Sequence, residues 1–418
     1  MTLGRRDFCL LAASSAYGQA ARVRMIEPDG EARKWWTRWR GPSGQGIVDT
    51  TGYPDRWSGF DRALWKTEVP GKGNSSPTIW RDRIFLTTAE DGPKRQIVCY
   101  DRGTGKLLWR ATAPDAAAEK LYWKNTYASS TPITDGERVY AYFGNAGVLA
   151  VDLNGKVAWH CPLGVITLYH GPGGSPLLYK NRLILYQDQR EDSFIVAIDT
   201  ATGKIVWKTA REERVGWGTP IAIDTGSRHE IIVSSQDRVT AYDPGTGKLL
   251  WWARGNTFET TPTPVVGDNL LFCASGRAGP TLAIRPGGSG DVTDTHIAWQ
   301  TPRGSPFIPS PLYHSGRLYT VNDMAAIATC FEAATGKVLW QGRLGQAKNE
   351  GFSASPVWVE GRVYFTNDDG EVFVLAAGDK FQLLHVNDFG ERVLASPALV
   401  DGKWYWRTEK HLVAIGKG

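Results

Sequence analysis

Sulfur chemistry is nearly absent from this sequence. Three methionines and five cysteines stand among 418 residues. The cysteines, Cys9, Cys99, Cys161, Cys273 and Cys330, are far apart, with no adjacent pair and no CxxC. That excludes a dithiol redox motif, a cysteine-rich zinc site and the CxxCH haem attachment. Histidine is equally dispersed: none of the seven makes an HxH or HxxxH pair, so no helical zinc motif is present. No apolar run reaches 18 residues, and no transmembrane helix is expected. The net charge of +5 comes without a basic stripe, which excludes a nucleic-acid footprint. Glycine-rich GPGGS, residues 171–175, precedes a strand rather than a helix, so it cradles no phosphate. Asp368–Asp369 before Gly370, and the EDS run at 191–193, read as turns rather than calcium loops.

What is abundant is Trp (18), Tyr (15) and Gly (47), the mixture of short strands and tight turns. Two markers alternate along the chain. Ser or Thr followed by Pro occurs at Pro77, Pro132, Pro176, Pro220, Pro264, Pro311, Pro356 and Pro397. A tryptophan follows each strand-rich stretch, at Trp65, Trp109, Trp159, Trp207, Trp251, Trp299 and Trp340, with an eighth place expected near Leu384. The period of about 44 residues is the length of one four-stranded propeller blade.

The tryptophan closes a nine-residue motif: DRGTGKLLW (101–109), DTATGKIVW (199–207), DPGTGKLLW (243–251) and EAATGKVLW (332–340), with the shorter DLNGKVAW at 152–159. Its physics is that of a turn. Asp199 and Thr202 can bond nearby backbone N–H groups. Gly203 supplies a positive φ. Ile205, Val206 and Trp207 then open a strand, and the indole is placed to fill the gap to the next blade. The motif therefore builds a frame. Cys99 and Cys330 occupy equivalent places in their repeats and read as small buried residues. The copy ending at Trp299 is stretched by an extra loop. The last unit stops at its third strand near Ile415, so its fourth is expected from residues 62–68 around Trp65. Closing the ring this way removes an exposed edge.

The pattern A-x-D-x-x-T-G-K-x-x-W, as at 197–207 and 241–251, resembles the repeat of the pyrroloquinoline quinone (PQQ) propeller family. The resemblance covers residues 35–418 and implies an all-β, eight-bladed propeller of four-stranded antiparallel blades. The family includes quinoprotein dehydrogenases, and also propellers without a quinone, such as the outer-membrane protein assembly factor BamB. Catalytic members carry a vicinal Cys-Cys pair, a Trp floor and acidic and Asn calcium ligands. This sequence has no such cysteine pair. The resemblance thus implies a non-catalytic binding or scaffolding module of the bacterial envelope, with a PQQ- and calcium-dependent oxidoreductase as the alternative. A monomer is expected, with envelope proteins or a small polar ligand as partners.

The N-terminus MTLGRRDFCLLAASSAYGQA (1–20) has paired arginines, a weakly apolar run and small residues near Ala20. It reads as a twin-arginine-like export signal, which places the mature chain in the periplasm or outside the cell. Residues 21–61 form an extension and 62–418 the propeller. In the extension, Trp35, Trp36 and Trp39 either pack beneath the propeller or present an outer docking surface.

Chemistry is expected where a propeller concentrates variable loops, at one mouth of its axial channel. The loops before each Ser/Thr-Pro supply the candidates: Lys72, Asn74, Lys124, Asn125, Tyr127, His170, Trp217, Glu259, Asn349, Glu350 and Arg392. Among these His170 is the candidate base and Trp217 a stacking surface.

Overall fold

A computed structural model of the chain describes residues 22–90, 92–277, 279–302, 304–346 and 351–417. The export-signal reading at 1–20 and the candidates Asn349 and Glu350 lie outside the described residues. Eight antiparallel four-stranded blades follow one another in chain order. The first consists of Thr78–Trp80, Arg83–Glu90, Lys94–Asp101 and Leu107–Thr112. The next six span 133–161, 177–210, 221–254, 265–300, 312–343 and 357–388. The eighth joins 398–415 to the strand Ala63–Glu68, which pairs antiparallel with His411–Ile415 from Ala63↔Ile415 to Glu68↔His411. The expected ring closure is therefore present.

Each blade meets the next through its tryptophan. The indole N–H of Trp159 donates to the Thr200 carbonyl at 2.9 Å, one residue past the next blade's motif aspartate. Trp65, Trp109, Trp207 and Trp299 reach the equivalent carbonyls of Arg102, Leu153, Pro244 and Ala333. The ring also covers the turn glycine: a Cβ at Gly203 (φ +72°) would lie 2.7 Å from the Trp159 indole. Inside its own blade the indole crosses a small residue, as in Ala197↔Trp207, Cys99↔Trp109 and Cys330↔Trp340. This explains Cys99 and Cys330; the four described cysteines are all buried and free.

Three junctions differ: Trp340 donates to the Gly378 carbonyl at 2.9 Å without covering that glycine, and two others depart further. The stretched loop of blade five adds Gly290–Asp291 as a parallel strand outside Trp251–Trp252. Trp251 is thereby fully buried, and its N–H goes to the Glu230 carboxylate at 2.9 Å instead. In blade seven, the residue in the tryptophan's register is His385, opposite Val374 and next to Leu384, near which the eighth place was expected. The gap beyond it is filled from the extension, where Trp57 packs on Phe389, Trp404 and Trp406.

The Ser/Thr-Pro marker has a structural meaning too. The Ser76 N–H donates to the Thr131 hydroxyl, Thr131 N–H to Ser175, Ser175 N–H to Thr219, and Thr219 N–H to Thr263. Thr263, Ser310 and Ser355 continue to Ser310, Ser355 and Ser396. A belt of hydroxyls thus links seven junctions around the axis. Without a side-chain acceptor each of these N–H groups, most of them buried, would lack a partner.

The extension seals one end of the channel. Its backbone carbonyls at Trp36, Thr37 and Gly46 accept the N–H groups of Ile79, Thr134 and Trp358 on the innermost strands. Arg24–Met25 adds to blade four and Ile47–Val48 to blade seven. Arg40 crosses beneath the axis and donates to the carbonyls of Pro311 and Pro356. Burial pulls its guanidinium down to about 9. Trp36 is buried, and Trp35 and Trp39 are half-buried, so the tryptophan cluster packs against the propeller.

Gly203 and Gly361 both have φ near +70° (+72° and +74°), but only Gly203 faces an indole; open space surrounds Gly361. Gly361→Ala should cost the left-handed strain alone, about 1–2 kcal/mol. Gly203→Ala should cost clearly more. Equal losses in chemical denaturation would show that the indole contact does not hold the junction.

Candidate functional site in the axial cavity

A cavity of about 240 Å³ occupies the axis above the sealed end. Its lower wall is the hydroxyl belt, and Trp39 contributes to the lining. Proline after each belt residue lacks an N–H, so the backbone adds no further donor beside the belt. The upper wall is built by the variable loops.

One side is an aromatic and acidic cluster. Glu259 is buried and sits in the left-handed region at φ +60°. A non-glycine residue held there is strained, and such strain concentrates at functional sites. Three neighbours hold its carboxylate: the Tyr169 hydroxyl donates at 2.8 Å, His170 Nε2 lies at 3.4 Å and Arg277 Nε at 3.9 Å. Burial, then the bond to Glu259, raises the Tyr169 phenol. The His170 ring stacks on Trp217 at 5.7 Å between centroids and meets Tyr122 at 4.7 Å. Trp217 is anchored through its N–H to the Gly171 carbonyl at 2.8 Å. Its stacking face is thus taken by His170, and its part in the cavity is to fix that ring.

The second side is ionic. Lys124, from the loop before blade two, reaches Asp368 of blade seven with Nζ–Oδ2 2.7 Å. Both side chains are buried, and Ser353 donates to the same oxygen at 3.0 Å. Burial raises the Asp368 carboxyl, and Lys124 opposes the rise. The Asp368–Asp369 pair is therefore more than the turn expected: its first member is an ion-pair partner at the mouth. Asp323 lies close by, accepting the Phe307 N–H at 2.8 Å. Burial pushes its carboxyl up to about 6.

Six expected residues line this cavity: Asn74, Lys124, Asn125, His170, Trp217 and Glu259. Lys72 and Arg392 line an adjoining cleft instead. Tyr127 lines neither; its ring packs under the Arg95 guanidinium, 5.0 Å away. Tyr122, Tyr169, Arg277, Asp323 and Asp368 were not among the sequence candidates. Tyr122, Tyr169 and Arg277 adjoin candidates in sequence or space. Asp323 and Asp368 sit in hairpins between the second and third strands, which also open at the mouth.

A family profile described as "Outer membrane protein assembly factor BamB" matches residues 19–188, 191–306 and 282–415. Tetrathionate hydrolase of Acidithiobacillus ferrooxidans is 26% identical over 354 residues, 75% of this chain and 68% of that protein. A polyvinylalcohol dehydrogenase of a Sphingopyxis strain is 23% identical over 269 residues, 50% of this chain and 40% of that protein. Among solved structures, BamB from Moraxella catarrhalis matches with a TM-score of 0.58 at 14% identity, covering 84% of this chain and 97% of that one. Quinohemoprotein alcohol dehydrogenase from Comamonas testosteroni matches at 0.65 with 12% identity, covering 92% and 81%. Such structural likeness shows the fold alone.

Asp323 binds its proton more tightly in the folded chain than in the unfolded one, where its carboxyl has the ordinary value of 3.8. Between these values the folded state carries the extra proton, so this group's contribution falls as pH rises from about 4 to 6. The shift corresponds to about 3 kcal/mol. Asp323→Asn keeps an acceptor for Phe307 and should raise the melting temperature at pH 7, with the gain vanishing by pH 4. A gain independent of pH would refute the raised carboxyl.

Proposed function

Because the chain belongs to the family of the outer membrane protein assembly factor BamB, we propose that it is an exported propeller of the bacterial envelope. In this reading it works as a binding module that takes a small polar ligand in its axial cavity. The observation that carries the ligand is Glu259. A buried carboxylate in a strained backbone conformation, framed by Tyr169, His170 and Arg277, is preorganised polar chemistry in a concave, aromatic-walled site. Left-handed residues also occur in the hairpin turns of the frame, as at Arg81, Lys180 and Glu360, but Glu259 joins that backbone to a buried carboxylate lining the cavity. Envelope placement draws on the twin-arginine-like N-terminus and on the family. Among the described residues, no helix is long and apolar enough to cross a membrane.

The calcium-bound quinone implied by the repeat does not fit these residues. The buried carboxylates at the mouth, Glu259, Asp323 and Asp368, come from different blades, and two of them already face a cation: Glu259 beside Arg277, Asp368 on Lys124. Among the described residues, no three His, Cys, Asp or Glu side chains gather as a metal would need. The described cysteines are free in separate blades. A catalytic reading rests instead on the His170–Glu259 pair, an imidazole and a carboxylate 3.4 Å apart at the cavity that could serve as an acid–base couple on a bound ligand. It draws support from relatives named as a hydrolase and a dehydrogenase.

The test is a melting-temperature screen of the mature chain against small amines, sugars, organic acids, tetrathionate, and PQQ with calcium. A ligand bound only by the folded state raises the melting temperature. At least one small polar compound is expected to do so, and Glu259→Gln and His170→Ala should abolish the shift. Turnover of the bound compound would favour the catalytic reading. A flat screen would leave the propeller as a surface for proteins, and a saturable shift with PQQ and calcium would overturn the donor-set argument.

A further inference from the structure

A cleft of about 760 Å³ opens off the axial mouth at the junction of blades eight and one. This is the junction that the hydroxyl belt, among the described residues, does not bridge. Arg407 bridges it instead. Its Nη1 donates to the Thr87 carbonyl at 2.7 Å and to the Ser75 hydroxyl at 2.8 Å. The side chain is 2% exposed, and its Nε has no acceptor. No carboxylate takes part in its electrostatics; burial alone draws it down to about 10, and it stays charged at neutral pH.

Arg392 lines the same cleft. Its guanidinium lies 5.4 Å above the Trp123 ring. Both Nε and Nη2 are buried, and neither has an acceptor. Leaving a buried donor without a partner is costly, and more so when it is charged. Lys72 and Lys410 stand at the rim. The acidic lining residues Glu68 and Glu409 are exposed and bond to neither arginine. Elsewhere buried arginines bond through most of the guanidinium: Arg211 meets Asp188, Arg95 meets Glu119 and Arg40 meets two carbonyls in the sealed end, although the Nε of Arg95 and of Arg40 also lacks a partner. What sets this cleft apart is that two such guanidiniums line it together, and that Arg392 leaves two of its nitrogens without an acceptor.

We propose that this cleft is an oxyanion subsite in which Arg392 and Arg407 receive a carboxylate or sulfate-type group. Guanidinium forks match such groups through paired, charge-assisted bonds. The cleft shares Asn74, Lys124, Asn125 and Ala395 with the axial cavity, so one ligand can place its polar body on the axis and its acidic end here. That extension rests on the binding role of the axial cavity; the oxyanion subsite itself does not.

The probe is trifluoroacetate, followed by ¹⁹F NMR on the full mature chain at constant ionic strength, with trifluoroethanol as the neutral control. Saturable binding of trifluoroacetate alone is expected. Arg392→Gln, which removes a side chain making no hydrogen bond and so should fold, is expected to weaken it at least tenfold. Lys72→Ala should weaken it less, and Arg392→Lys should retain part of it. Glu259→Gln should leave it unchanged, which separates this subsite from the axial reading. Competition by acetate more strongly than by sulfate assigns an organic acid; the reverse assigns an inorganic oxyanion. Equal binding by wild type and Arg392→Gln, or loss on Glu259→Gln alone, would overturn the proposal.

Discussion

The contact on which this protein depends is an indole laid over a glycine. In five of the blades a tryptophan on the outer strand covers the turn glycine of the next blade and donates its N–H to the adjoining carbonyl. Each such contact combines a large apolar face with a satisfied donor. Neither partner is interchangeable: the glycine leaves room for the ring, and the small residue beneath it, Ala or Cys, lets the ring cross its own strand. The junctions that depart from the rule recruit something else. Trp251 is capped by the inserted strand, and the blade-seven gap takes Trp57 from the extension.

A ring of blades still leaves an axis, and its two ends are treated oppositely. At one end the extension pairs with the innermost strands and places Arg40 across the centre. The backbone groups that would face an open channel are thereby bonded. At the other end the loops are long, dissimilar and polar. The frame is thus repetitive where blades meet, and individual only where the channel opens. Function is expected at the open end because only there can residues vary without breaking a junction.

The electrostatics of that open end are uneven. Lys124 and Asp368 form a buried pair with a hydroxyl in support, whereas Arg392 and Arg407 have positive charge and too few acceptors. Burying charge is costly unless it is paired. A region where two guanidiniums have no carboxylate bonded to them differs from the carboxylate-paired arginines Arg211 and Arg95. Glu259 adds a strained backbone to the same mouth.

Blade number, strand order, ring closure at Trp65 and the structural nature of the nine-residue motif were all legible in the sequence. Each is a local property repeated at a fixed period, and the turn chemistry of Asp, Thr and Gly acts within a few residues. The belt formed by the Ser/Thr-Pro markers was visible only as a marker, because its acceptors lie one whole blade away. The site was legible in part, since loops before an inner strand must open at one mouth. Other features came only from folding: Asp368 as the partner of Lys124, 244 residues away, Trp57 in place of the missing eighth tryptophan, and Tyr127 turned away beneath Arg95. These are contacts between segments far apart in the chain, and no periodicity encodes them. Sequence determined the frame because its interactions recur; tertiary structure decided the site because its interactions occur once.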